Sequence, residues 1–87
     1  MVGKQFIIDF NKFNRRKRTT IQHKLRVVMN CYTISDFLMN EENNSFSFKK
    51  NYKINGKRIE DPKVFTGHFS VEQTSDNQCK ITIMVNT

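Results

Sequence analysis

Hydrophobic and polar positions in this chain change period near residue 20, and the change separates a predicted helix from predicted strands. A short apolar segment comes first: residues 6–10 are mostly β-branched or aromatic, which is typical of a strand. After residue 20 the apolar positions recur at i, i+4, i+7 and i+11, which indicates one face of an amphipathic helix. These positions are Ile21, Leu25, Val28 and Tyr32.

Two extents of this helix fit the pattern. In the first, which we favour, one helix runs to about Met39, with or without a kink. In the second, the helix breaks at residues 31–33, and Ser35 caps a short second helix over residues 36–40. The segment before the helix, residues 11–20, is predicted as a connector, because its asparagines favour turns and its threonines are suitable helix caps.

The C-terminal half alternates apolar and polar residues with the period of a strand. Residues 45–54 form the first such segment, and Asn55-Gly56 follows with the sequence of a type I′ hairpin turn. A short return strand over residues 57–60 completes that hairpin. Residues 64–85 alternate again on both sides of a polar turn and predict a final hairpin, in which Gly67 marks a bulge or a close approach of the helix.

Together these elements predict a single α+β domain, residues 1–87, with the element order β-α-β-β-β-β. A mainly antiparallel sheet of four to five strands would carry one long helix packed on its apolar face. A chain of 87 residues supports one thin core, which fits a single domain.

The composition narrows the class of protein. Cys31 and Cys79 are isolated, with no histidine at ligand spacing, which argues against a zinc site and for free thiols. No apolar run approaches the roughly 18 residues of a membrane span, and the N-terminus has no signal-peptide pattern, so a cytoplasmic protein is expected. No cofactor is expected either. The abundant Asn, Lys, Ile and Phe have AT-rich codons, which hints at a low-GC genome such as that of a virus or phage.

The positive charge is concentrated at one end of the chain. Residues 1–26 carry eight Lys and Arg residues against one acid, whereas residues 27–87 carry seven of each, so the net charge of +7 lies in the first 26 residues. Like charges repel and destabilise a compact state, so folding does not require this block. Arginine binds phosphate through two parallel hydrogen bonds and lysine binds it as a point charge.

The block therefore predicts nucleic-acid binding, although a solvated linker is the simpler interpretation of a charge run. We expect phosphate contacts from the cations of the block and from two lysines of residues 45–54: Lys12, Arg15, Arg16, Lys17, Arg18, Lys24, Arg26, Lys49 and Lys53. RNA is favoured over DNA because the chain has no helix-turn-helix, zinc-finger or basic-zipper pattern. Neither a membrane nor a small-molecule substrate is expected as a partner, since a polybasic segment without an apolar or lipid anchor holds a membrane poorly.

Aromatic residues in the first long strand have two interpretations. Phe46, Phe48 and Tyr52 share one face of residues 45–54. They either pack under the helix, which is the more common outcome, or stack unpaired bases as in proteins that bind single strands.

A ribonuclease is a further hypothesis. His68 lies on the polar face of a predicted strand, and a histidine there can act as an acid or base on RNA. The order of strand, helix and antiparallel strands, with the basic charge, resembles that of the RelE-type ribosome-dependent ribonuclease toxins in topology, without their sequence motifs. The chain has no carboxylate pair, Gly-rich phosphate loop or nucleophile elbow, so a non-catalytic protein is predicted.

Protein binding is the alternative class of function. The outer face of the predicted sheet carries Ile7, Val64 and Met84 among polar residues, and a sheet covered on one side often finds a partner for the other. Such a module would dock on an acidic partner as an inhibitor, or on a second copy of itself, so a homodimer is a further prediction. Tight, weakly salt-dependent binding to one protein would identify this class.

Overall fold

The computed structural model describes the whole chain from Met1 to Thr87 as an α+β protein with one six-stranded sheet and two short helices. The predicted class and the antiparallel sheet are confirmed. The sheet has more strands than expected, and two short helices take the place of the one long helix. The elements are β1 (Val2–Asp9), α1 (Phe10–Arg15), α2 (Lys17–Met29), β2 (Thr33–Asn40), β3 (Ser45–Ile54), β4 (Lys57–Glu60), β5 (Phe65–Gln73) and β6 (Gln78–Asn86).

One hairpin extends past the compact part of the sheet. The strand order is β1-β6-β5-β3-β2, and β4 pairs with β3 outside this order. Residues 45–48 of β3 pair with β5, whereas residues 51–54 pair with β4, so the β3–β4 hairpin projects and the molecule is elongated, 45 × 24 × 21 Å. We call residues 51–60 the arm. At its tip Asn55 and Gly56 both have positive φ, 51° and 78°, which confirms the predicted turn.

Helix α2 ends at Met29 because the next residue, Asn30, has a left-handed conformation (φ 50°) and its N–H closes the last turn on the carbonyl of Val27. Asparagine is among the few residues besides glycine that adopt this conformation readily. The predicted extension to Met39 and the alternative helix over residues 36–40 are both wrong. Residues 33–40 form β2 instead and pair with β3.

Strand β2 is irregular at its centre. Its register with β3 shifts between Ser35 and Leu38, and Asp36 has a positive φ of 51°. The irregularity changes which side chains face the core, since Phe37 is buried and Leu38 is 67% exposed. The alternation of apolar and polar residues is therefore interrupted within this strand.

The segment predicted as a connector, residues 11–20, is helical. The carboxylate of Asp9 accepts a hydrogen bond from the backbone N–H of Lys12 at 2.7 Å and so caps α1. Phe13, buried in the core, holds α1 against the rest of the protein. Arg16 breaks the helix with non-helical dihedral angles (φ −138°, ψ 43°), and α2 starts at the next residue without a side-chain cap. The seven cations from Lys12 to Arg26, which we call the basic block or the helical cations, thus lie on the two helices and on the residue that joins them.

The core lies between the helices and one face of the sheet. Ile21, Leu25 and Val28 of α2 are buried, as the helical period predicted. They pack in one cluster with the strand residues of that face, whose alternation is most regular in β6. We call the opposite side of the sheet the outer face; its side chains are mostly polar.

Gly67 lies in the middle of β5 and pairs regularly with Phe46 on β3 and Val85 on β6, so the predicted bulge is absent. The close approach comes from a side chain and not from the helix. A Cβ atom on Gly67 would lie 2.7 Å from Cζ of Phe46 and would clash with the carbonyl oxygen of Met84. The absence of a side chain at this position therefore leaves room for the Phe46 ring.

Candidate nucleic-acid interface

The cations of the basic block all lie on the helical side of the protein. Lys17 and Lys24 are half-buried, and the other members of the block are exposed. The protein contains three ion pairs, and none involves a residue of this block. The helical side therefore presents a positive surface whose cations form no ion pairs.

On one flank of α2, residues spaced four apart form a row beside β2. Arg18, Gln22 and Arg26 occupy i, i+4 and i+8 and so share one side of the helix. A hydrogen bond places Arg18 next to Phe37, whereas Gln22 and Arg26 line a cavity of about 220 Å³ with the first two residues of β2. This flank row (Arg18, Gln22 and Arg26) therefore runs antiparallel to β2 and spans about 12 Å.

The other flank of α2 holds a second group of polar side chains. Lys12 of α1 and Lys24 of α2 line a cavity of about 230 Å³, together with His23 and Asp9. The ammonium group of Lys24 also lies 5.1 Å from the centroid of the Phe6 ring, which is a cation–π contact. The cations thus flank α2 on both sides.

Arg18 makes a structural contact that the sequence did not predict. Its Nη2 donates a hydrogen bond to the carbonyl oxygen of Phe37 at 2.8 Å, and the guanidinium carbon lies 5.2 Å from the centroid of the Phe37 ring. Because Phe37 is buried at the irregular centre of β2, this pair ties α2 to β2. Arg18 therefore contributes to stability as well as to the positive surface.

We expect Arg18→Ala to lower the free energy of unfolding by about 1–2 kcal/mol, since it removes a hydrogen bond from a charged donor and a cation–π contact. Arg15→Ala removes the same charge from an exposed side chain and should cost less than about 0.5 kcal/mol. Urea unfolding followed by circular dichroism measures both changes. Equal midpoints for the two variants would contradict the structural role of Arg18.

Two predicted phosphate contacts, Lys49 and Lys53, lie apart from the helical block. Lys49 is on the outer face, where its ammonium group lies 3.4 Å from Asp36 and 3.8 Å from Glu60. Its charge is therefore neutralised, and the sheet separates it from the helical cations. Lys53 lies on the arm, with its ammonium group 5.3 Å from the centroid of the Tyr32 ring.

The predicted row of aromatic residues on β3 is divided. Phe46 and Phe48 are buried in the core, whereas Tyr52, on the arm, is only half-buried. Tyr32, which the period assigned to the apolar stripe of the helix, precedes β2 and is 47% exposed. Periodicity assigned both tyrosines to apolar faces, and base stacking was an interpretation for Tyr52 only. Residue type was the available signal for Tyr32, because a tyrosine hydroxyl usually reaches water or a polar partner.

His68 is exposed on the outer face, where its neighbours across the strands are Ser45 and Met84. The helical cations lie on the other side of the sheet. A phosphate bound by those cations is therefore out of reach of the His68 imidazole.

No known protein family matches this chain, and neither does any curated protein or solved structure. Neither helix is long and apolar enough to cross a membrane. The site itself is therefore the basis for inferring function.

Proposed function

We propose that this protein binds nucleic acid without cleaving it and that the helical cations contact the phosphate backbone. The separation of charges carries this proposal. The cations of the basic block have no ion-pair partner, whereas Lys49 and Lys80 on the outer face are paired with carboxylates. Clustered cations repel one another in the free protein, and a polyanion relieves that repulsion while it releases its own counterions.

The placement of the cations supports RNA as the ligand rather than DNA. Proteins that read the major groove of B-DNA with a helix present the side chains of that helix along an exposed ridge. Here α2 lies against the sheet, and its cations point to both flanks. That arrangement suits the irregular phosphate positions of a folded or single-stranded RNA.

The position of His68 argues against a ribonuclease mechanism that uses this residue. General acid–base catalysis requires the imidazole within hydrogen-bond reach of the reacting oxygen. His68 and the helical cations lie on opposite faces of the sheet, so they do not converge on one phosphate.

We expect Arg15→Gln/Arg26→Gln to weaken binding of a fluorescein-labelled single-stranded RNA by about tenfold at low salt. The slope of log K against log salt should also become shallower, by about 1.4. The reason is that two phosphate contacts are lost. Fluorescence anisotropy measures both quantities. Unchanged affinity in this variant would overturn the proposed interface.

The matched control is Lys49→Gln/Lys80→Gln, which removes the same charge from the outer face. Both lysines are already paired with carboxylates, Lys80 with Glu72 at 3.3 Å. This variant should retain affinity within about twofold, because only the net charge has changed. Equal losses in the two double variants would show that affinity follows total charge and not the helical surface.

A further inference from the structure

The aromatic residues of this protein fall into two groups. All eight phenylalanines are either buried in the core or packed against it. The two tyrosines are outside the core, and both lie at the root of the arm: Tyr52 is in β3, and the N–H of Tyr32 donates to the carbonyl oxygen of the adjoining Asn51 at 3.0 Å. The accessible aromatic surface of the protein is thus concentrated at one place.

The arm is positively charged and has little packing of its own. Residues 51–60 contain three cations, Lys53, Lys57 and Arg58, and one acid, Glu60, which is paired with Lys49. Every residue from 53 to 60 is exposed. Ile54 and Ile59 are 52% and 46% exposed, so the arm combines cations with uncovered apolar surface. Such a combination on an isolated hairpin is typical of a surface that binds a polyanion with apolar faces.

The ring faces of both tyrosines are already in contact with ammonium groups. Lys50 lies 5.1 Å from the centroid of Tyr52, and Lys53 lies 5.3 Å from the centroid of Tyr32. Each ring therefore has a lysine ammonium group over its face, and the Lys50 ammonium group also lies 4.9 Å from the centroid of Phe65. A base that stacks on the ring would displace the ammonium group, which would then be free for the adjacent phosphate.

The arm also continues from the flank row on α2. Lys50 pairs with Ile34, which lines the same cavity as Gln22 and Arg26. Burial raises the pKa of the Cys31 thiol, and the charges of Lys50 and Arg26 act in the opposite direction. A strand bound along the flank row would reach Lys50 and Tyr52, which lie on the face of β3 that also carries Phe46 and Phe48.

We propose that the root of the arm is a stacking platform for unpaired bases. Bases would stack on Tyr32 and Tyr52, and Lys50 and the three arm cations would contact the phosphates. The proposal rests on the function proposed above and deepens it, because it makes the ligand a single-stranded nucleic acid. Bases stack on aromatic side chains in many proteins that bind single strands, with little dependence on sequence. A paired base in a duplex offers no free face to such a ring.

A second copy of the arm is the less favourable occupant. In a symmetric interface the same surface meets itself, so the three arm cations of one chain would face the three of its partner. No acid between residues 52 and 59 offsets that repulsion. A single strand of nucleic acid supplies both the negative charge and the flat apolar groups.

Intrinsic fluorescence gives a direct test, because the chain has two tyrosines and no tryptophan. Tyr32→Phe leaves Tyr52 as the only emitting residue. We expect the Tyr52 emission to fall when a short oligouridine binds. An RNA duplex should change this emission much less, when the two ligands are compared at the same fraction of protein bound, as measured by anisotropy. Equal quenching by the two ligands would overturn the platform.

Affinity provides the second measurement. Tyr52→Leu should weaken binding of the oligouridine about tenfold and leave binding of the duplex unchanged, whereas Tyr52→Phe should behave as the wild type. The variant Arg15→Gln/Arg26→Gln should weaken both ligands. If Tyr52→Leu binds both ligands normally, the platform is wrong while phosphate binding by the helices stands. If no RNA binds at all, both proposals fail.

Two other binding partners of the arm, a second copy of the chain and an anionic membrane, predict different results, and either result would overturn the platform. Self-association through the arm predicts a dimer in sedimentation that Tyr52→Leu converts to a monomer. Insertion into an anionic membrane predicts that vesicles containing phosphatidylserine change the Tyr52 emission while the oligouridine does not.

Discussion

Raising the salt concentration from about 50 to about 200 mM is expected to weaken binding of single-stranded RNA about 300-fold. Each phosphate neutralised by a cation releases counterions from the RNA. With Arg18 engaged by Phe37, about six helical cations remain available, which gives a slope of log K against log salt of about −4. Anisotropy titrations at several salt concentrations measure the slope.

The same titration separates the two classes of function raised by the sequence. Docking on a protein partner through apolar contacts gives a slope close to zero, because few ions are released. A flat salt dependence for RNA, with affinity retained at the higher salt, would contradict phosphate binding by the helical cations. The outer-face variant Lys49→Gln/Lys80→Gln should keep the wild-type slope.

Gly67→Ala is expected to lower the free energy of unfolding by roughly 3 kcal/mol, a large share of the stability of a domain of this size. The added methyl group would lie 2.7 Å from Phe46 and would clash with the carbonyl oxygen of Met84. The carbonyl belongs to β6, an internal strand of the sheet, and cannot rotate away, and the Phe46 ring is buried in the core. Both the ring and the backbone must therefore shift.

Urea unfolding followed by circular dichroism measures this loss. Ser70→Ala is the matched control, because Ser70 lies in the same strand and is exposed on the outer face. It should change the stability by less than about 0.5 kcal/mol. If the two variants unfold at the same urea concentration, the Phe46 ring does not pack over Gly67 as described.

The β-rich half of the fold could be predicted because its side chains alternate without interruption. The Asn55-Gly56 turn and the final hairpin have the local chemistry that their geometry requires. Residues 33–40 were mistaken for helix because a single residue, Asn30, ends α2 while Tyr32 continues the helical spacing by coincidence. The irregularity at Asp36 then hides the alternation that would have indicated β2.

The candidate site was predictable in its charge and not in its geometry. The density of Arg15–Arg18 identified the positive surface, but the sequence did not show that Asp9 caps a helix within the block or that Arg16 divides it. Lys49 and Lys53 lie in the same strand, and the sequence predicts the same role for both. The ammonium group of Lys49 is neutralised by Asp36 and Glu60, which are brought to it by the pairing of β3 with β2 and β4. Such partners follow from the strand order, which periodicity does not reveal.

The place of β6 in the sheet has a consequence for the order in which this protein folds. β6 is an internal strand, bonded to β1 on one side and to β5 on the other, although it follows the other five strands in the sequence. Until residues 78–86 join the sheet, β1 and β5 each have an open edge, and the apolar side chains of Phe6 and Phe69 lack the strand that lies between them. Folding intermediates in which β6 has not yet joined the sheet are therefore prone to pair with one another through those edges.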